Sequence, residues 1–274
     1  MRSEVKLDIQ AQPDDESCGA TCLHSLYAYY GHDRLTLRQT IEQIERVDSG
    51  GTIVEVLACH ALRQGFDATI YTYHIDMFDP SWFAGDGAVH DASMVAERLA
   101  AQLKHRTDPR LKLATRACRE FLDLGGRLKM EDLTPGLLVR YLSKSFPIMA
   151  GLSSTYLYRE SRSGPNGTPD DISGLPQGHF VMLVGYDVQK AEVLIADPLD
   201  TNPPFHTSRY RLSIDRFINA VMLGILTHDA HLLVVQPRQP HEPVLHGPSA
   251  RKKLPATRRK PRLPPPQNDR GSSR

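Results

Sequence analysis

The chain has 274 residues, 40% of them hydrophobic, which is enough for one large domain or two small ones with a packed core. It contains no run of 18 apolar residues, and the opening Met-Arg-Ser-Glu-Val-Lys lacks the apolar stretch of a signal peptide, so no membrane span is expected and the protein reads as cytoplasmic. The 33 Lys and Arg nearly balance the 32 Asp and Glu, but ten of the bases and only two of the acids fall from Gln236 onwards, leaving a mildly acidic body and a basic tail.

The stretch Gln12 to Cys22 (Gln-Pro-Asp-Asp-Glu-Ser-Cys-Gly-Ala-Thr-Cys) leads into Leu23, Leu26, Tyr27 and Tyr30 at three- and four-residue spacing. Residues 18 to about 30 are therefore expected to form an amphipathic helix with Ser17 as its N-cap, ending near Gly31. Cys18 falls in the first turn, where unpaired backbone N–H groups and the positive end of the helix dipole favour a thiolate. Six residues upstream, Gln12 can swing a side-chain amide towards that sulfur as a hydrogen-bond donor. Taken alone, a cysteine at a helix start is more often a small buried hydrophobe.

Residues 35 to 46 and 52 to 64 read as two short helices, and 67 to 74 as the first strand. Trp82 falls in the following loop and reads as core. Helices are expected over 91–102 and 109–124, making a helical insertion at about 76–133. A further helix starts at Thr134-Pro135 and runs to Lys144. A strand over 147–157 precedes a long polar loop, 158–178, which reads as a binding loop or lid. Strands over 179–187, 192–197, 206–212 and 231–235, with a helix over 213–223, complete a body of residues 1–235. The proline-rich basic tail, 236–274, reads as disordered.

His179 opens a strand too apolar for a surface position, and Asp197 in Ile-Ala-Asp-Pro ends the next one. Both lie nine residues from Val188, so a regular antiparallel hairpin centred there places them directly opposite on one face. A carboxylate holding one ring nitrogen fixes the tautomer and leaves the other for a cysteine sulfur. Singly, each residue has an ordinary structural reading; with Cys18 and Gln12 they suggest a site for nucleophilic catalysis.

Gln12, Cys18-Gly19-Ala20, Gly178-His179-Phe180-Val181 and Asp197-Pro198 together resemble the double-glycine leader peptidase family and its stand-alone bacterial relatives, a branch of the papain-like cysteine peptidases. The resemblance covers about 5–75 and 134–235. It implies an α+β papain-like fold, a helical half packed on an antiparallel sheet, with Cys18 as nucleophile, His179 as general base and then acid, Asp197 as orienter, and Gln12 with the Cys18 N–H as oxyanion hole. Ser17 and Ala20 stand where the family more usually has Asp and Pro, and 161 residues separate Cys18 from His179, far more than in the transporter peptidase domains.

The expected function is hydrolysis of a peptide or isopeptide bond in a peptide or protein substrate, with no cofactor. An acyl transferase or peptide ligase using the same residues, and a catalytically silent peptide-binding module, remain the alternatives. Cys18, Cys22 and His24 do not read as a metal site, because His24 points elsewhere on the helix, and Cys22 reads as core beneath the nucleophile. The basic tail could contact nucleic acid or an anionic surface, but it carries no aromatics for base stacking and reads as a solvated terminus.

Overall fold

The computed structural model describes residues 2–47 and 50–238. Strand β1 (Arg2–Glu4) leads through an extended segment into α1 (Cys18–Tyr29), α2 (Leu37–Gln43) and α3 (Val54–Arg63). Then come β2 (Phe66–Thr72), α4 (Ala92–Gln102), α5 (Pro109–Asp123), β3 (Arg127–Lys129), α6 (Pro135–Leu142), β4 (Ile148–Ser153) and α7 (Ser154–Tyr158). The strands β5 (Gly178–Asp187), β6 (Glu192–Ala196) and β7 (Arg209–Ser213), the helix α8 (Ile214–Leu223) and the strand β8 (His231–Pro237) finish the body.

The expected α+β class holds, with one twisted sheet in the order β3-β2-β8-β4-β5-β6-β7. β1 pairs with the end of β5 that β4 does not reach. The sheet is mixed rather than antiparallel: β3 runs parallel to β2. The segment between them, with α4 and α5, supplies the long crossover that a parallel pair needs. The stretch 76–133 thus extends the sheet edge and buries α5 against α3 in the same core, with Trp82, only 4% exposed, inside it.

Helices cover both faces. Phe180, Met182 and Val184 of β5 point into one core, shared with Leu23 and Leu26 of α1 and Leu57 of α3. Val181 and Leu183 point into the other, with Leu138 of α6 and Phe217 of α8. Alternating side chains of a strand buried on both faces account for the uninterrupted apolar run of β5. Helix α1 lies close to β5 because Gly19 has no side chain: a Cβ there would come 3.2 Å from the Phe180 ring and 2.9 Å from the Thr52 methyl.

The helices and strands otherwise fall close to their expected places, with three corrections. The expected strand 147–157 stops at Ser153, whose hydroxyl accepts from Tyr156 N and starts α7. The strand expected from 206 starts at Arg209, because His206 adopts a left-handed backbone, φ 50°, that breaks an extended run. The tail assignment concerns 236–274, of which only 236–238 lie among the described residues, and β8 reaches Pro237.

Candidate active site

Cys18 opens α1 as expected, but Ser17 does not cap it. The Ser17 hydroxyl donates instead to the Asp14 carbonyl at 3.2 Å, and no side chain among the described residues caps the helix. The first-turn N–H groups, with no acidic side chain among them, therefore stay available beside the sulfur. Cys18 is 9% exposed and lines a cleft of about 260 Å³ together with His179, Thr52 and Gln177.

His179, 6% exposed, stands at the rim of the sheet beside Gly178. Its Nε2 and Asp197 Oδ1 are 2.8 Å apart, which leaves Nδ1 for the Cys18 thiol, close enough to affect the titration of the ring. Burial alone would lower the His179 pKa, but the Asp197 charge and hydrogen bond, with a smaller contribution from Cys18, push it up to about 10. The ring is held as an imidazolium at neutral pH.

The hairpin that brings these residues together is not the regular one centred on Val188. Asp187 pairs with Glu192, Tyr186 with Val193 and Gly185 with Leu194, after which a β-bulge shifts the register so that Leu183 pairs with Ile195 and Met182 with Ala196. One step further, Asp197 stands beside Val181 and meets His179 diagonally, from two residues away on the same face.

Asp197 is fully buried and accepts four hydrogen bonds. Oδ1 takes His179 Nε2 and Leu199 N (2.9 Å); Oδ2 takes the hydroxyls of Tyr158 (2.7 Å) and Tyr210 (2.6 Å). Burial would raise its pKa, yet the His179 charge and these bonds hold it below the usual carboxylate range. The tyrosine hydroxyls, buried beside a carboxylate, have their own pKa values driven far up and remain donors.

Tyr158 and Tyr210 escape sequence reasoning because nothing about their spacing ties them to Asp197. Tyr210 pairs with Ile195, two residues before Asp197 on the same face, and Tyr158 is the last residue of the unexpected α7. Two further cleft residues were also not foreseen: Arg110, from the second position of α5, and Asp229, against which Gly178 packs so closely that a Cβ would overlap its carboxylate.

Gln12 is placed next to the loop that follows Asp197 but is not turned into the cleft. Its backbone N donates to Pro198 O at 2.9 Å and its Nε2 to Asp14 O at 2.9 Å, while Oε1 is buried without a partner among the described residues. Cys22 is fully buried, its thiol 3.4 Å from Phe180 O, in the core position expected of it. All four cysteines are free, and no cluster fit to hold a metal occurs among the described residues.

No family model matches the sequence, and no curated protein matches it. Among solved structures, the chain is similar to a C39-like peptidase from Bacillus anthracis at 12% identity, over 88% of this chain and 100% of that one, with a TM-score of 0.48. It is also similar to a double glycine motif protease from an AMS/PCAT transporter in complex with the leader peptide, at 14% identity over 86% and 95% of the two chains, with a TM-score of 0.42. A third similar structure is xylellain, a cysteine protease from Xylella fastidiosa, at 15% identity over 87% and 86%, with a TM-score of 0.40.

Proposed function

We propose that the protein is a cysteine peptidase that cleaves a peptide or isopeptide bond through a thioester at Cys18. The observation that carries this reading is the polarised histidine: His179 has Nε2 fixed by a buried, four-bonded Asp197 and faces a helix-start cysteine in an open cleft.

In this mechanism His179 already holds the proton given up by Cys18, so the two rest as an ion pair, and the sulfur attacks the scissile carbonyl carbon. The oxyanion forms beside the first turn of α1, where the Cys18 N–H and its neighbours offer uncapped donors. Gln12 is the second donor of the proposal, and its amide must release the Asp14 carbonyl to reach the oxyanion. His179 then gives its proton to the leaving amine as the C–N bond breaks. Water, deprotonated by His179, attacks the thioester, and collapse of that adduct frees the acid and returns the proton to the Cys18–His179 pair.

Asp197 keeps its charge throughout and holds the ring; its two tyrosine partners keep the carboxylate from turning away. Wild-type protein and Cys18→Ala incubated with a peptide library distinguish the outcomes. New peptide termini formed only by the wild type support the reading, and identical termini with both proteins reject it.

A further inference from the structure

Among the described residues lining the cleft, Arg110 is the one lysine or arginine. It comes from the 76–133 stretch, at the second position of α5, and its side chain is 24% exposed. Its Nε is buried without a hydrogen-bond partner among the described residues. The ion pair it makes, with Asp229, spans 3.8 Å, too far for a hydrogen bond. A guanidinium presents five donors in a fixed fork, so one left with open donors in a cleft is suited to a planar, two-oxygen acceptor.

The described acids around it give it no hydrogen bond. Asp229 is buried, and burial pushes its carboxyl up to about 6 despite Arg110; Glu55, behind it, is pushed up to about 7 for the same reason. Across the cleft, Glu16 is engaged by Arg46 at 2.8 Å, and Asp15 stands exposed at the rim.

We propose that Arg110 is a specificity-determining residue that binds a substrate carboxylate, from an Asp or Glu side chain or from a chain terminus, next to the bond attacked by Cys18. The inference rests on the peptidase reading but is testable apart from it, because Cys18 can be alkylated whether or not it cleaves anything.

Labelling of Cys18 is followed by mass spectrometry with iodoacetamide, which is neutral, and iodoacetate, which carries the carboxylate. The iodoacetate-to-iodoacetamide rate ratio is expected to fall about tenfold in Arg110→Gln, the scale of one charged hydrogen-bonded contact. Arg110→Lys, which keeps the charge but loses the fork, is expected to fall between the two and covers the case in which the glutamine variant does not fold. Protection of Cys18 by N-acetyl-Ala-Glu-amide and by N-acetyl-Ala-Ala with a free terminus, each against N-acetyl-Ala-Gln-amide, tells a side-chain carboxylate from a terminal one. A ratio unchanged in a folded Arg110 variant, or equal protection by all three peptides, overturns the proposal. Labelling of Cys18 no faster than of Cys59 or Cys118 instead counts against the peptidase reading itself.

Discussion

His179 and Asp197 meet at 2.8 Å only because β5 carries a bulge at Val184. Near the turn, the register that pairs Asp187 with Glu192 would, if continued, bring Asp197 level with Met182, on the opposite face from His179. The extra residue between Leu183 and Gly185 shifts the pairing by one, brings Asp197 level with Val181, and returns it to the His179 side. The bulge thus sets the parity on which the proposed base and orienter depend. Gly185 accompanies it where β1 passes, with a Cβ there only 2.8 Å from Ser3 O.

Removing the charge of Asp197 should disable the site while leaving the fold. Asp197→Asn keeps the shape but takes away the main influence that holds His179 at about 10. Peptide cleavage is expected to fall by about four orders of magnitude, as when the triad carboxylate of a serine peptidase is replaced by its amide. The sign of the stability change with pH follows. A histidine whose folded pKa is raised stabilises the fold below about 6.5 and loses that contribution as pH rises through about 10. Denaturant unfolding should therefore show wild type losing more stability than Asp197→Asn between pH 7 and 10; parallel losses would contradict the pairing.

The two tyrosines should act as a unit. Each hydroxyl donates to Asp197 Oδ2 inside the core, so Tyr158→Phe and Tyr210→Phe are each expected to cost about 1.5–3 kcal/mol, the range for a hydrogen bond to a charge. The double variant should differ from the sum of the singles, since one oxygen is shared. Urea unfolding of the four proteins measures this, and full additivity would mean the two bonds do not communicate.

How far the sequence revealed this arrangement differs by residue. Cys18 at a helix start, His179 at a strand start and Asp197 before a proline were legible because each is marked by a local transition. Their alignment was not: the hairpin centre lies past Val188, and the compensating bulge is marked only by Gly185 in an apolar run. The parallel β3 and the short β1 were also hidden, because three residues carry no readable period. Tyr158, Tyr210, Arg110 and Asp229 enter the site only through tertiary contacts, and Ser17, a good capping type, spends its hydroxyl on Asp14 instead.

Glu55 gives an independent check on the buried acids behind the cleft. It is 2% exposed, lies 4.0 Å from the buried His231, and burial raises its pKa to about 7. A carboxyl that is harder to ionise when folded leaves stability intact below about 4.5 and removes it progressively as pH rises towards 7. The loss by pH 8 is on the order of 3 kcal/mol. Glu55→Gln should thus flatten the decline in stability between pH 5 and 8. Thermal melts at the two pH values decide it, and an equal decline in both proteins would show that Glu55 is not strained in the fold.

The buried thiols should be silent towards alkylation. Burial pushes Cys59 up to about 12 and drives Cys22 and Cys118 well above the usual thiol range, so none supplies thiolate at neutral pH. Peptide mapping after brief iodoacetamide treatment of the native protein is expected to show carbamidomethyl on Cys18 alone, and early modification of Cys59 would contradict the burial that raises its pKa.

The most direct test of the central claim is a comparison of newly formed peptide termini in a cell extract treated with the wild type or with Cys18→Ala. A defined set of cleavages made by the wild type and abolished by the single sulfur substitution is the predicted result. Indistinguishable sets of termini from the two proteins would contradict the assignment of Cys18 as the nucleophile of a peptidase.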